Sequence, residues 1–290
     1  GTGDLSMGSL IACVILSGRC LAPVSQITSL LGKSTNAFTA YKALNEILKD
    51  KSYLDQQYTH RKELRPSIQI NNISFNYENS LKPTIDNINI RIEPGDKIAL
   101  LGPIGSGKTT LLRLIAGLVL PTKGSILIDG IDSQQINPIQ LRETIGFVSQ
   151  TPILFTGSIK ENLLLGNPDA NDEDLVKACT LTGIINFINK LEKGFETILF
   201  ERGAQLSGGQ RQSLSLARTL IGNPEIVLMD EPTSSFDSAG EMAFLQNMPN
   251  FLNKKTLILV THKSSLLSLT DKVLIIEEGI IKGFGPKEKM

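Results

Sequence analysis

The sequence lacks a surplus of charge of either sign. Its 290 residues include 29 lysines and arginines and 29 aspartates and glutamates, so the formal net charge at pH 7 is zero. This balance excludes an overall field that would draw nucleic acid or a membrane surface to the protein. Any recognition of phosphate must therefore be local. The hydrophobic share of 41% is enough for one large or two ordinary domains with a packed core.

Cysteine is also scarce. The three cysteines, Cys13, Cys20 and Cys179, are odd in number and have neither C-x-x-C nor metal-ligand spacing. This pattern gives no support for a disulfide framework or a metal site. It predicts buried thiols in a reducing compartment.

A long hydrophobic run is missing at the N-terminus. Residues 10–16 are strongly apolar, but Arg19 and Pro23 close the run before it reaches the roughly 20 residues that a membrane helix requires. Asp4 stands where a secretory signal would carry basic residues, so that class fits poorly. The chain also starts without an initiator methionine. We therefore expect residues 1–23 to be the C-terminal part of an interrupted transmembrane domain.

Beyond this run, apolar residues recur at helical spacing with polar residues between them. They are Ile27, Leu30, Leu31, Phe38, Tyr41, Leu44, Ile47 and Leu48. The spacing predicts a long amphipathic helix, which is either a packing helix or a stalk that joins membrane and soluble parts. The polar stretch 49–65 before Pro66 is typical of a linker. Residues 24–65 are thus predicted to form a stalk and linker, and residues 66–290 a soluble domain.

In the soluble part, short β-branched runs alternate with helical patterns. This alternation predicts an α/β domain with a mainly parallel sheet. Residues 68–77 and 85–92 are expected to form strands of a preceding antiparallel layer, and residues 97–101 a buried strand.

A phosphate-loop motif follows that buried strand directly. Residues 102–109 match G-x-x-x-x-G-K-[ST] and precede a predicted helix over residues 110–118. Glycines let backbone N–H groups point inward at phosphate oxygens, and the helix N-terminus adds partial positive charge. Lys108 can then reach the β- and γ-phosphates, and the Thr109 hydroxyl can bind Mg²⁺. The residues expected to hold the nucleotide here are Gly102, Pro103, Ile104, Gly105, Ser106, Gly107, Lys108, Thr109 and Thr110.

Two adjacent acids follow a second apolar strand pattern, residues 224–229. Asp230 is placed to hold Mg²⁺, and Glu231 to orient and deprotonate water. Two such acids can also form a polar turn. That alternative weakens in a chain that already carries a phosphate loop.

The pentapeptide Leu-Ser-Gly-Gly-Gln at residues 206–210 narrows the function. A phosphate loop alone is compatible with a kinase, a GTPase, a helicase or a transporter ATPase. The pentapeptide is the signature of the ABC ATPase family, which the chain resembles over residues 68–290. The resemblance implies a P-loop NTPase fold with a RecA-like, mainly parallel core sheet, an antiparallel β-subdomain and an α-helical signature subdomain. It also implies ATP and Mg²⁺ as ligands.

The resemblance assigns roles to four further residues. Tyr77 matches the aromatic residue that stacks on adenine, and Gln150 the glutamine that approaches Mg²⁺ and senses the membrane domain. His262 matches the switch histidine at the γ-phosphate. Asp237 ends a loop that crosses the dimer interface.

Members of this family pair head to tail, which implies a homodimer with two composite sites. Each ATP lies between the phosphate loop of one domain and the signature of the other. The signature residues that serve the partner's nucleotide are Ser207, Gly208, Gly209 and Gln210. Ser207 is also expected to cap the helix that follows. Hydrolysis would then depend on dimer closure.

Two segments resemble those of exporters within this family, residues 154–162 and residues 201–203. With the N-terminal region, they make the chain most similar to fused permease–ATPases of bacterial type I secretion. The resemblance implies a multi-pass protein of the inner membrane with the ATPase domain in the cytoplasm. It also implies a missing upstream membrane domain, a periplasmic adaptor, an outer-membrane channel and an exported protein or peptide, without nucleic acid. Phe200 and Phe236 depart from the family pattern in interface loops.

Other functions stay open at this point. The chain also fits an exporter of a lipid or small molecule. A soluble ABC ATPase would show tandem nucleotide domains or a coiled-coil insertion, and neither interrupts residues 66–290. A non-hydrolysing ABC domain would usually have lost Glu231 or His262, and both are present.

Overall fold

The computed structural model describes residues 7–49, 58–59, 61, 64–78 and 82–289. The chain divides into two compact units, Gly1–Gln57 and Tyr58–Met290. The described part of the first unit is one long helix, and the described part of the second contains the sheets and the remaining helices.

The helix of the first unit, α1 (Met7–Lys49), continues through Pro23. The helix therefore does not stop at Arg19 or Pro23, where the apolar run was expected to close. A proline removes one backbone hydrogen bond, but a helix of this length keeps the rest of its ladder. Within α1, the stretch Met7–Asn45 is long and apolar enough to cross a membrane, judged by length and composition alone. Its apolar residues are not collected on one face over the whole helix, so the amphipathic pattern does not extend through it.

The cysteines differ from the expectation that all three are buried. Cys13 and Cys20 are exposed on α1, whereas Cys179 is buried. Burial raises the pKa of the Cys179 thiol to about 12, so this thiol stays protonated and inert. Nearly all the side chains described for α1 are exposed.

Most of the predicted linker, residues 49–65, lies outside the described residues. The described part belongs to the second unit. Thr59 forms a β-bridge with Ile136, and Arg61 pairs with Asp129 at 2.5 Å. Leu64 is buried in the core. Packing of the second unit thus begins before Pro66.

The strands of the second unit confirm the predicted alternation. They are β1 Ile68–Phe75, β2 Ile85–Ile92, β3 Lys97–Leu101, β4 Lys123–Ile128, β5 Ile131–Asp132, β6 Ile145–Val148, β7 Gly157–Ser158, β8 Ile198–Leu199, β9 Ile226–Asp230, β10 Thr256–Val260, β11 Lys272–Glu277 and β12 Ile280–Pro286. The helices are α2 Lys108–Ile115, α3 Pro138–Thr144, α4 Ile159–Leu164, α5 Asp172–Leu181, α6 Ile185–Ile188, α7 Gly208–Leu220 and α8 Ser238–Phe251.

The six-stranded core sheet has the order β12-β11-β3-β10-β9-β6. Its strands pair in parallel, except that β12 runs antiparallel to β11. The register places Leu100 beside Val260, Val260 beside Asp230, and Met229 beside Val148. The carboxyl ends of β3, β10, β9 and β6 therefore meet at one edge, where ligands bind in open α/β sheets.

A second, antiparallel sheet has the order β2-β1-β4-β5. Its isoleucines pack with one face of the core sheet in a single cluster. A second cluster joins helices α4 to α7, and a third covers the other face of the core sheet together with α8. These three regions confirm the predicted parallel core, antiparallel subdomain and helical subdomain.

Helix α7 belongs to two of these clusters at once. Leu214 and Ala217 pack into the helical subdomain. Leu216 and Leu220 pack against the core sheet. The signature helix is therefore anchored on both sides.

Candidate active site

The phosphate loop, residues 102–109, turns sharply between β3 and α2. Gly102 and Gly107 have φ angles of 153° and 100°. A Cβ at Gly102 would lie 2.0 Å from the carbonyl oxygen of Ile276, and one at Gly107 would lie 2.7 Å from that of Thr84. Only glycine fits these two positions.

Lys108 is the cation of this loop. Its Nζ donates to the carbonyl oxygens of Gly102 and Pro103 at 2.8 and 2.7 Å. Burial lowers the pKa of Lys108, and the carboxylates of Asp230 and Glu231 oppose that effect. The two carbonyl contacts hold the amine inside the loop, where an incoming phosphate would meet it.

Ser106 supplies a further polar group to the loop. Its Oγ is buried and has no hydrogen-bond partner among the described residues. A buried hydroxyl without a partner is costly, unless a ligand atom meets it. The loop also offers open space at Gly105, where an added Cβ would have no neighbour within 4 Å. The orphaned hydroxyl, the buried cation and the helix N-terminus fit a phosphate chain.

Thr109 and Asp230 bring two hard oxygen donors together. Thr109 Oγ1 donates to Asp230 Oδ2 at 2.6 Å. Within the described ranges, no cluster of three or more His, Cys, Asp or Glu could hold a metal by itself. Mg²⁺ usually takes only one or two protein oxygens and completes its shell with water and phosphate. The donor set fits such an ion.

Glu231 and His262 meet at the same edge of the sheet. Glu231 Oε1 lies 3.3 Å from His262 Nε2. The backbone of Glu231 has a φ of 52°, and its N–H donates to Val260 at 2.9 Å. A cleft of about 260 Å³ borders His262, Lys108 and Gly102. The side chains of His262 and Lys108 thus border one small space, and the Glu231 carboxylate contacts the imidazole from outside this lining.

Gln150 follows β6, which pairs in parallel with β9, so it lies at the same edge of the sheet as Asp230. Its side chain is exposed. Next to its loop lies an apolar groove of about 1010 Å³, lined among others by Phe147, Phe155 and Leu165. Arg218 lies 5.8 Å from the Phe155 ring centroid. Phe155 and Leu165 are both more than half exposed.

Tyr77 lies against the start of α2. Its ring packs edge-to-face on Phe75 at 4.8 Å between centroids. Its hydroxyl lies 3.4 Å from Thr110 Oγ1 and 3.4 Å from Arg113 Nη1. The Tyr77 hydroxyl therefore contacts α2, the helix that directly follows the phosphate loop.

The signature residues form a separate group. Ser207 caps α7 through a reciprocal pair of bonds, in which its Oγ accepts from Gln210 N–H at 3.2 Å and its N–H donates to Gln210 Oε1 at 2.8 Å. A Cβ at Gly209 would lie 2.9 Å from the carbonyl oxygen of Ser235. Asp237 caps α8 by accepting from Gly240 N–H at 2.8 Å.

This signature group borders its own cavity. Gly208 and Asp237 are among the described residues that line it, and the phosphate loop contributes none of them. The structure thus brings the predicted site residues together in two groups. One surrounds the phosphate loop, and the other joins the signature to Asp237.

Glu241 and Lys263 were not among the predicted site residues. Lys263 Nζ forms an ion pair with Glu241 Oε2 and donates to the Thr233 carbonyl oxygen at 2.8 Å. Ser265 Oγ donates to Glu241 Oε1 at 2.5 Å. These hydrogen bonds hold the pKa of Glu241 below its usual range. The position of Lys263 directly after His262 is the sequence feature that could have indicated a residue near the site.

Gln212 was also missed. Its side chain is buried and bonds to the backbone of Glu231 and of Ser235. A glutamine after a glycine-rich helix start gives no sequence signal of such contacts, because the partners lie about 20 residues away.

Comparison with known proteins gives concordant results. The ABC transporter family model matches residues 85–234. The leukotoxin translocation ATP-binding proteins LktB of Mannheimia haemolytica and Mannheimia glucosida are 36% identical over 280 residues, which is 97% of this chain. The chain spans 40% of the length of these relatives. A solved bacterial Atm1-family ABC exporter with ATP bound matches all of the chain and 51% of its own, with 26% identity and a TM-score of 0.78.

Proposed function

Because the chain belongs to the ABC transporter family, we propose that it powers export of a protein or peptide across the bacterial inner membrane by hydrolysing ATP. The observation that carries the proposal is the cluster at the edge of the core sheet. There the buried Lys108, the Thr109–Asp230 pair and the Glu231–His262 pair converge.

The residues of this cluster divide the work of hydrolysis. Glu231 accepts a proton from the attacking water, a step worth about 10²- to 10⁴-fold in rate. His262 holds that carboxylate in place and faces the terminal phosphate. Lys108 and the loop N–H groups stabilise negative charge on the phosphates. Tyr77 stacks on the base.

The metal site of this proposal uses three oxygen donors. Thr109 and Asp230 are already hydrogen-bonded to each other. Gln150 follows the C-terminal end of the neighbouring strand, β6. When bound there, Mg²⁺ neutralises phosphate charge as a Lewis acid.

The second half of each site comes from another copy of the chain. Ser207 to Gln210 border a cavity of about 760 Å³ away from the phosphate loop, so they are available to a partner's nucleotide. The head-to-tail homodimer therefore contains two complete sites, each formed by the phosphate loop of one chain and the signature of the other. Closure of this dimer around ATP is then the mechanical step.

Membrane coupling is supported by two further features. Helix α1 holds a stretch that is long and apolar enough to span the membrane. The apolar groove beside the Gln150 loop exposes Phe155 and Leu165, and we assign it to the membrane domain. The leukotoxin translocation relatives favour a protein cargo. Such a system would include a periplasmic adaptor and an outer-membrane channel.

The hydrolytic assignment is tested by Glu231→Gln. We expect turnover to fall about 10²- to 10⁴-fold, because the positioned base is lost, while ATP binding and an ATP-dependent dimer remain. The measurement is phosphate release at saturating ATP, with dimerisation followed by light scattering.

The matched control is Glu225→Gln, the same change at the opposite end of β9, where the side chain is exposed. It should leave turnover unchanged. Near-normal turnover of Glu231→Gln would remove Glu231 as the base.

Export itself is tested with a chimera. This chain replaces the matching C-terminal part of a leukotoxin translocation protein, and secreted toxin is measured in cells that carry the remaining components. We expect secretion that Glu231→Gln abolishes. A chimera that hydrolyses ATP in membranes without releasing toxin would contradict the protein-export assignment.

A further inference from the structure

We infer that Gln212 is a positioning residue that ties the orientation of Glu231 to the signature helix. Through this side chain, the helix that meets the partner's nucleotide also sets the catalytic carboxylate of its own site. The inference rests on the proposed role of Glu231 as the base and adds a route by which one site regulates the other.

The Gln212 side chain is buried, with 1% of its surface exposed. Its Nε2 donates to the carbonyl oxygen of Glu231 at 2.9 Å and to Ser234 Oγ at 3.1 Å. Its Oε1 accepts from the N–H of Ser235 at 2.8 Å. A primary amide has two N–H donors and one carbonyl oxygen, and all are used here.

The partners themselves fix the orientation of this amide. The Glu231 carbonyl only accepts, so it must face the nitrogen. The Ser235 N–H only donates, so it must face the oxygen. Gln212 therefore bonds to one backbone carbonyl, that of Glu231, and to one backbone N–H, that of Ser235. These two groups lie on either side of the turn that follows β9.

The Glu231 backbone needs such support. Its φ of 52° is unfavourable for a residue with a Cβ and persists only where surrounding groups hold it. Its N–H donates to the carbonyl oxygen of Val260 in β10 at 2.9 Å. Its carbonyl oxygen accepts from Gln212 of α7 at 2.9 Å and from the Ser234 N–H in its own turn at 3.2 Å. The bonds to β10 and α7 come from different elements and aim the side chain at His262, 3.3 Å away.

Helix α7 connects the signature, which faces the partner's nucleotide, to Glu231 of the chain's own site. Its cap, Ser207, lies at the signature, and Gln212 follows little more than one turn later. A shift of the helix N-terminus around a partner's nucleotide moves the amide and the Glu231 carbonyl with it. The same amide holds Ser234 and Ser235, which begin the loop that ends at Asp237.

The test is Gln212→Met, which keeps the length and approximate volume of the side chain and removes the amide. We expect kcat for ATP to fall about 10- to 100-fold, the effect of misplacing a reacting group by about 1 Å. KM should stay within about twofold, because the nucleotide contacts are untouched. The control is Ser215→Ala, which removes another buried polar group from α7, bonded to Arg218 instead.

A double-mutant cycle separates positioning from general structural damage. If Gln212 acts through Glu231, adding Gln212→Met to Glu231→Gln should lower single-turnover hydrolysis by less than about threefold. The inference would be overturned if Gln212→Met lowered the hydrolysis rate by the same factor in the unmodified protein and in Glu231→Gln. It would also be overturned if a rise in KM accounted for the whole loss of activity. If Glu231→Gln alone keeps full activity, the proposed function fails instead.

A second variant, Gln212→Glu, covers the case in which the methionine protein does not fold. The introduced carboxyl can donate to the Glu231 carbonyl only when protonated, and burial raises its pKa. The ratio of its kcat to that of the unmodified protein should therefore rise as the pH falls. A ratio that is flat or falls on acidification would contradict the role of the donor.

Discussion

The two groups of site residues differ in how their polar atoms are satisfied. Around the phosphate loop, functional side chains bond to one another or to the loop, as Thr109 does with Asp230 and Lys108 with Pro103. In the signature group, the side chains of Ser207 and Gln210 each bond to the other's backbone N–H within their own helix cap. The first group resembles a preassembled reaction centre, whereas the second presents a helix N-terminus to whatever docks on it.

This difference explains why hydrolysis would need two copies. A reaction centre can be built inside one chain, because the carboxyl ends of neighbouring parallel strands meet at one edge. The N-terminus of the signature helix borders a different cavity from the phosphate loop. It can therefore bind a nucleotide that is held by the phosphate loop of another molecule. In the proposed dimer, the two groups would communicate inside the chain through α7 and Gln212, and between chains through the nucleotide.

Among the changes that test this comparison between the two groups, the largest effect should come from removing the cation of the first group. Lys108→Ala deletes the buried ammonium that lies between the loop carbonyls. We expect hydrolysis to fall by about 10²- to 10³-fold, the usual cost of one preorganised charge at a reacting phosphate or carbonyl. Phosphate release and ATP binding by the purified protein provide the measurement.

The matched control is Lys123→Ala, which removes an exposed lysine from β4. Its turnover should equal that of the unmodified protein. If Lys108→Ala behaved in the same way, the first group would not be the reaction centre.

Mixing damaged chains tests the division into two half-sites. Lys108→Ala damages the first group, and Ser207→Arg blocks the second. A 1:1 mixture should recover about a quarter of normal activity, because half of the random dimers contain one intact composite site. The readout is phosphate release after mixing, compared with each variant alone.

The informative control mixes Lys108→Ala with Glu231→Gln. Both changes lie in the first group, so no arrangement of two such chains assembles an intact site, and no recovery is expected. Equal recovery in both mixtures, or in neither, would show that the two groups do not belong to different halves.

Much of the first group could be predicted from the sequence, because its members sit in local motifs at strand ends. Loop positions such as Gly102 and Gly107 follow from a turn that tolerates no Cβ. The contacts of Gln212 and Glu241 could not be predicted, since they join segments far apart in the chain. The continuation of α1 through Pro23 could not be predicted, because a proline inside a sequence usually ends or kinks a helix.

The smallest effect should come from Lys263→Met, which breaks an ion pair at the border between the two groups. Glu241 lies one turn into α8, whose cap is Asp237, and Lys263 follows His262. The lysine also bonds to the Thr233 carbonyl. We expect a loss of about 1–3 kcal/mol in unfolding free energy, typical of hydrogen bonds to charged groups. Turnover should fall only severalfold, and Lys263→Arg should restore most of both.

The pH dependence of this variant gives the sharper readout. The folded pKa of Glu241 is lowered by the hydrogen bonds from Lys263 and Ser265. The pair therefore contributes its full stability above the ordinary carboxyl pKa and loses it as the pH falls through the lowered value. Thermal unfolding temperatures of Lys263→Met and of the unmodified protein should converge over that acidic window. A difference that stays constant with pH would mean that Lys263 stabilises the loop through its carbonyl bond alone. The reaction centre and the dimer-facing loop would then be joined without any contribution from the charge of Glu241.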